Sequence, residues 1–212
     1  MNPKTNDARI SGSLASLCGL EKALGRNDPA SVDLAIARIV MMQAYSFLIG
    51  GVPMIFYGDE VGRTNDYSYL DDPGKSYDNR WMHRPVVDWK QNNRIDEEGS
   101  VEGRVYGATQ RLIAIRSKLP MIADAKNLTW LTPHNIHVAG YLRTLEDRRV
   151  YCLFNVTDRQ QALTWFALKE HGPISQRLYD HWSEQEYSLG LDHESIGLAP
   201  YQFLIIEPLS RA

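Results

Sequence analysis

Only two cysteines occur in the 212 residues, Cys18 and Cys152, and both sit within apolar patterns. A disulfide framework or a zinc site needs more thiols, or histidines at ligand spacing, so these two read as buried thiols. The histidines are scattered. The closest pair, His134 and His137, falls at the start of a predicted strand rather than on a helix, which leaves no metal site in view. Excess charge of either sign is also missing: 23 Lys+Arg against 26 Asp+Glu give a net charge of −3, which argues against a nucleic-acid partner. The longest uncharged stretch, Ala44 to Gly58, is interrupted by Gly50-Gly51 and Pro53 and is too short to span a bilayer. Met1 to Arg9 is polar and lacks the apolar core of a signal peptide, so the expectation is a cytoplasmic chain without membrane contact. Neither a Gly-x-Ser-x-Gly elbow, a Walker loop nor a dinucleotide fingerprint occurs.

What is present is an ordinary globular composition, 43% hydrophobic and 23% charged, in a chain long enough to bury a core. Ile10, Leu14, Leu17, Cys18 and Leu24 make a helical stripe that stops at Gly25. Asp28-Pro29 reads as an N-cap with proline at the first helical position, opening a helix whose apolar face is Val32, Ile36, Ile39, Val40 and Phe47. That helix ends before Gly50-Gly51. The apolar run Val52 to Tyr57, without alternation and bounded by glycines, predicts a strand buried on both faces, as in a parallel sheet. Residues 58 to 99 show no sustained period. A loop this long is generally functional or disordered, and Tyr67, Tyr69, Tyr77 and Trp81 favour function. Val105, Ala108, Leu112, Ile113 and Ile115 predict a further helix stopped by Pro120. Beyond it, Ile136–Arg143, Val150–Val156, Ala162–Phe166, Leu178–Asp180 and Phe203–Ile206 predict an antiparallel β-domain, with the boundary near residue 122. One face of the second strand would carry Val150, Cys152, Phe154 and Val156.

Paired carboxylates are plentiful (Asp59-Glu60, Asp71-Asp72, Asp96-Glu97-Glu98), but adjacent residues on a strand point to opposite faces. A retaining glycosidase needs two carboxyls converging on one bond at about 5–5.5 Å. Asp59-Glu60 follows the predicted buried strand directly, where α/β enzymes place their sites, and serves either chemistry or the bracing of the next loop. Two loop arginines, Arg9 and Arg80, offer rigid forks of donors suited to a carboxylate on one side and sugar hydroxyls on the other. On residue chemistry alone each is equally an exposed ion pair.

Gly50-Gly51-Val52-Pro53-Met54-Ile55-Phe56-Tyr57-Gly58-Asp59-Glu60 resembles the eighth-strand region of the α-amylase family of glycoside hydrolases. The stretch from Val61-Gly62 to Asn65-Asp66-Tyr67, and then Asp78-Asn79-Arg80-Trp81-Met82-His83-Arg84-Pro85, is similar to amylosucrase-type members in particular. So are the opening, Asn2-Pro3 to Gly12, and the ending, Leu198-Ala199-Pro200-Tyr201 before an apolar strand.

The resemblance implies an α/β fold: residues 1–121 as the C-terminal part of a (β/α)8 TIM barrel and 122–212 as a small antiparallel β-sandwich domain. It implies a retaining enzyme that takes sucrose as glucosyl donor, releases fructose and passes glucose to an α-1,4-glucan, with no cofactor and no metal in the bond-breaking step. The three catalytic carboxylates of that family would lie upstream, on the remainder of the barrel, so this chain would contribute substrate-binding loops and no catalytic group. Arg80 matches the arginine that closes the glucosyl pocket by pairing with an upstream aspartate, and Arg9 the arginine lining the neighbouring acceptor or fructosyl subsite. Rival readings are an α-glucosidase or sucrose hydrolase of the same family, a non-catalytic carbohydrate-binding β-module, and a truncated product without function of its own.

Overall fold

The computed structural model describes residues 11–124, 126–189 and 195–209. They form two compact units, the first made of the described residues up to Ile39 with Ile55–Ala108, the second of Val40–Met54 with the described residues from Thr109 on.

The first unit opens with two short helices, α1 (Leu14–Leu17) and α2 (Leu20–Gly25). The single stripe expected across them is interrupted because Gly19 sits at φ +94, a left-handed conformation that no α-helix continues through. Ile10, counted in that stripe, lies outside the described residues. Helix α3 (Pro29–Leu48) begins as its cap predicts: Asp28 accepts from the Ser31 amide at 3.2 Å and the Ser31 hydroxyl at 2.6 Å. Its N-terminal half buries Ala35, Ile36 and Ile39. By length and mean hydropathy α3 is the one described helix that could cross a membrane, and half of that stretch is buried within the chain, as in a core helix. The 58–100 segment is built of 3-10 turns and one short helix, α4 (Trp89–Asn92), and leads into α5 (Val101–Lys118), the helix expected before Pro120. Gly62, at φ +67, lies so close to α5 and α2 that a Cβ there would meet Val101 at 3.2 Å, Val105 at 3.4 Å and Leu20 at 3.5 Å.

One expectation fails. Val52 to Tyr57 forms no strand, and its side chains are not buried: Val52 and Met54 are each 87% exposed. A parallel strand takes all its ladder hydrogen bonds from neighbouring strands, and the described residues offer this segment none. Every strand pair that forms is antiparallel, so the described residues are mixed helix and antiparallel sheet, and the eighth barrel strand expected at Val52–Tyr57 is not among them.

The second unit holds that sheet. Its strands are β1 (Leu128–Trp130), β2 (Val138–Leu145), β3 (Arg148–Asn155), β4 (Gln161–Thr164), β5 (Arg177–Asp180), β6 (Gln185–Ser188), β7 (Ser195–Leu198) and β8 (Phe203–Pro208). Six lie in the order β1-β2-β3-β8-β5-β6, and β4 pairs with β7 in a second sheet. β2 and β3 form a hairpin turning at Glu146-Asp147, with Glu146 at φ +52. Strand β3 is buried on both faces rather than one. Tyr151 and Leu153 join Leu163, Trp165, Leu198 and Leu204 in the sandwich core, while Phe154 packs with Tyr45 of α3, Tyr141 and Phe203 at centroid distances of 5.3 to 6.2 Å. The C-terminal half of α3 therefore covers the back of the sheet.

Two arginines finish that helix. Arg116 donates to the carbonyls of Phe47 and Gly51. Arg143, fully buried, donates to Ile49 (3.0 Å), Met121 (3.2 Å), Ile122 (3.1 Å) and Asp124 carbonyls. A helix end leaves carbonyls without partners, and these guanidinium forks supply them. Cys18 and Cys152 are both free and buried, and burial pushes the Cys152 thiol up to about 12.

Candidate functional site

Residues 55–100 of the first unit carry Arg80 and the carboxylates of interest. Arg80 lies in a 3-10 turn, Asn79–His83, whose N-cap is Asp78. The Asp78 carboxylate accepts from the Arg80 amide at 3.0 Å and from its guanidinium, Nε at 2.9 Å to each oxygen and Nη2 at 2.5 Å. One aspartate thus caps the turn and orients the fork. The Arg80 side chain remains 48% exposed while that of Asp78 is 11% exposed. The arginine beside it holds the Asp78 carboxyl at about 2, far below the ordinary carboxylate range. Within this chain the partner of Arg80 is therefore Asp78, two residues away. Arg9 lies outside the described residues.

The turn is tied into the loop from both ends. The Asp66 amide donates to the Met82 carbonyl at 2.8 Å, and Lys75, paired with Asp72 at 3.0 Å, stands 5.2 Å from the Trp81 ring. His83 meets the edge of Phe56 at 5.9 Å, its Nδ1 buried without a partner, and burial lowers its pKa. Phe56 leans on Tyr57 at 4.6 Å, and the Tyr57 hydroxyl donates to the Pro85 carbonyl at 3.1 Å.

Asp59 and Glu60 are each held by a backbone donor. Asp59 accepts from the Leu14 amide of α1 at 3.4 Å, and Glu60 accepts from the Gly58 amide at 2.7 Å. Burial raises the Asp59 pKa and the neighbouring Glu60 charge adds to the rise, against the lowering effect of the Leu14 amide. Both act on backbone donors, which fits the bracing role. Asn65 extends the brace: its side chain accepts from the Ser13 amide at 2.8 Å, and its own amide donates to Ser16 Oγ at 2.9 Å. Among the described residues no group of three or more His, Cys, Asp or Glu could hold a metal ion.

A second feature of this loop was not apparent from sequence. Arg63 donates to Gln91 Oε1 at 3.0 Å and to the Val86 carbonyl at 3.3 Å, and Gln91 donates in turn to Glu102 at 3.0 Å. Arg63 and its neighbours enclose a cavity of about 150 Å3. Only the Asp88 cap, a polar residue just before Trp89, marks the helix on its rim in the sequence.

No protein-family model matches the chain. Solved structures do. An α-amylase from Geobacillus thermoleovorans complexed with acarbose matches at TM-score 0.58 and 17% identity, over 84% of this chain and 34% of that one. AmyP in complex with maltose matches at 0.65 and 14%, over 87% and 37%. The trehalose-6-phosphate hydrolase of Bacillus licheniformis matches at 0.56 and 15%, over 81% and 38%. The structural neighbours are thus α-amylase-family enzymes, and at these identities the likeness is one of fold, shared with their C-terminal domains, over roughly a third of their length.

Proposed function

We propose that this chain is a part of a glycoside hydrolase of the α-amylase family, and that its 55–100 loop grips a sugar whose bond is cut by carboxylates carried elsewhere in the protein. The observation that carries the reading is the fold likeness to enzymes solved with maltose and with acarbose, over more than four-fifths of this chain. Carboxylates engaged in bracing, as Asp59 and Glu60 are, support placing the nucleophile and acid/base outside these residues. The finer reading is amylosucrase-like: glucosyl transfer from sucrose to an α-1,4-glucan in two retaining steps, with Arg80 and Arg9 binding the donor and its neighbour. It is supported by the Asp78-to-Pro85 segment, whose turn presents a preoriented, half-exposed guanidinium.

The test is product analysis on the gene product that joins this chain to the reading frame upstream of the Met1 codon. Sucrose consumed with release of fructose and growth of α-glucan is the expected result. Release of equimolar glucose and fructose would make it a sucrose hydrolase. Failure to turn over sucrose, maltotetraose and trehalose 6-phosphate alike would overturn the family reading.

A further inference from the structure

Glu102, in the first turn of α5, is 3% exposed and is enclosed by this chain's own atoms. Its two oxygens are unequally served. Oε1 accepts from the Gln91 side-chain amide at 3.0 Å, whereas Oε2 is buried with no partner among the described residues. A buried acceptor without a donor costs more than the average hydrogen bond contributes, so half of this carboxylate is an incomplete site. The donor that would complete it stands just short. Arg94 Nη1 lies 3.7 Å from Glu102 Oε1, within reach of an ion pair and beyond a hydrogen bond. The same guanidinium is held instead by Glu97, three residues on, through Nε at 2.9 Å.

The backbone of Arg94 is fixed in either arrangement. Its carbonyl accepts from Ser100 Oγ at 2.7 Å, and Ser100 Oγ accepts from the Gly103 amide at 2.9 Å, which ties Arg94 to the start of α5. One fork on a fixed backbone between two carboxylates has two discrete states, and their energies differ in kind. The Glu97 pair joins residues three apart in water, a class worth little. The Glu102 pair satisfies a buried oxygen with charge-assisted hydrogen bonds. Glu102 is already out of water, so the desolvation still to be met is that of Arg94 alone.

We propose that Arg94 is the latch of a strap, residues 86–99, and Glu102 its catch. The guanidinium exchanges between Glu97 and Glu102, and its second position, on both Glu102 oxygens, fastens the strap to α5. The strap carries Val86, Val87, Trp89 and Asn92, which line the cavity beside Arg63, so the latch sets where that wall stands. The latch is independent of what the loop binds. It is tested on the 212-residue chain, 15N-labelled, by solvent exchange of the Asn92 amide, which donates to the Asp88 carbonyl at 2.9 Å within the strap. The Ile39 and Leu112 amides, buried in α3 and α5, report whether the rest of the fold is intact. Arg94→Met is expected to speed Asn92 exchange about tenfold and Glu102→Gln to do the same, with the double variant no faster than either, because both remove one interaction. Glu97→Gln is expected to change it by less than about twofold. An unprotected Asn92 amide in the unaltered chain, an Arg94→Met variant that leaves it unchanged, or Glu97→Gln matching Arg94→Met overturns the proposal, as do additive effects in the double variant. If Glu102→Gln speeds Ile39 and Leu112 as well, the comparison of Arg94→Met with Glu97→Gln decides by itself.

Discussion

Asp78 takes the guanidinium of Arg80 through both carboxylate oxygens while the same carboxylate caps the turn on which Arg80 stands. The fork is thus aimed by its own turn, so its direction depends on one aspartate and one protonation state. Because the folded-state pKa of Asp78 is about 2, below the unfolded value of about 3.9, the pair is intact above pH 4 and is lost only as pH falls through 2. The Arg80 Nε–H signal is expected to hold its position from pH 7 down to about pH 3, and a transition near pH 4 would show the pairing to be absent. Asp78→Asn removes the charge and is expected to shift that signal at neutral pH.

Gly103 sits in the first turn of α5, where alanine ordinarily gains about 1 kcal/mol over glycine. Here a Cβ would lie 2.8 Å from the Ile95 carbonyl oxygen and 3.1 Å from that of Glu97, both backbone atoms that cannot swing aside. The clash is expected to win, so Gly103→Ala should lower stability by about 1–3 kcal/mol in urea unfolding. An increase in stability would mean that the 95–100 loop is not seated on this helix.

Arg143→Met withdraws the donors from four carbonyls of the second unit. Each buried acceptor left without a partner costs roughly 1–3 kcal/mol, so a loss of about 3 kcal/mol or more is expected from the urea midpoint at unchanged m-value. Arg143→Lys, able to serve fewer carbonyls, should fall between the two.

Glu207 of β8 accepts from Arg148 at 2.7 and 3.1 Å and meets His181 at 2.9 Å. Burial raises its pKa, but the hydrogen bonds from His181 and Arg148 outweigh that and hold it at about 2. Its stabilising contribution is therefore present above the unfolded value of about 4.3 and lost as pH falls through 2. Glu207→Gln is expected to lower the melting temperature at pH 7 and to make little difference near pH 2. An equal loss at both pH values would contradict the assignment.

The parts of the fold that were legible in the sequence are those with local causes. Asp28-Pro29 and Gly50-Gly51 bracket α3 because a cap and a breaker act within a few residues. The apolar run Val52–Tyr57 has strand composition but forms no strand, because a strand is made by its neighbours and a segment without a ladder partner stays irregular. Strands β1, β6 and β7 show the complementary case: three or four residues long, too short to establish a period, they depend on β2, β5 and β4 for their pairing. Arg80 was visible as a loop arginine, but its link to Asp78 follows from the turn's geometry. Arg63, Gln91 and Glu102 meet across 39 residues of sequence, a separation at which no pattern rule operates.

If the 55–100 loop grips a sugar whose bond is cut by groups outside it, as proposed, release of reducing sugar from sucrose separates the binding residues from the cutting ones. The purified 212-residue chain is expected to release none above the blank, while the gene product containing the upstream reading frame releases fructose and loses most of that activity in Arg80→Ala. Release by the 212-residue chain alone would contradict this, because a catalytic carboxylate would then have to lie within its 212 residues.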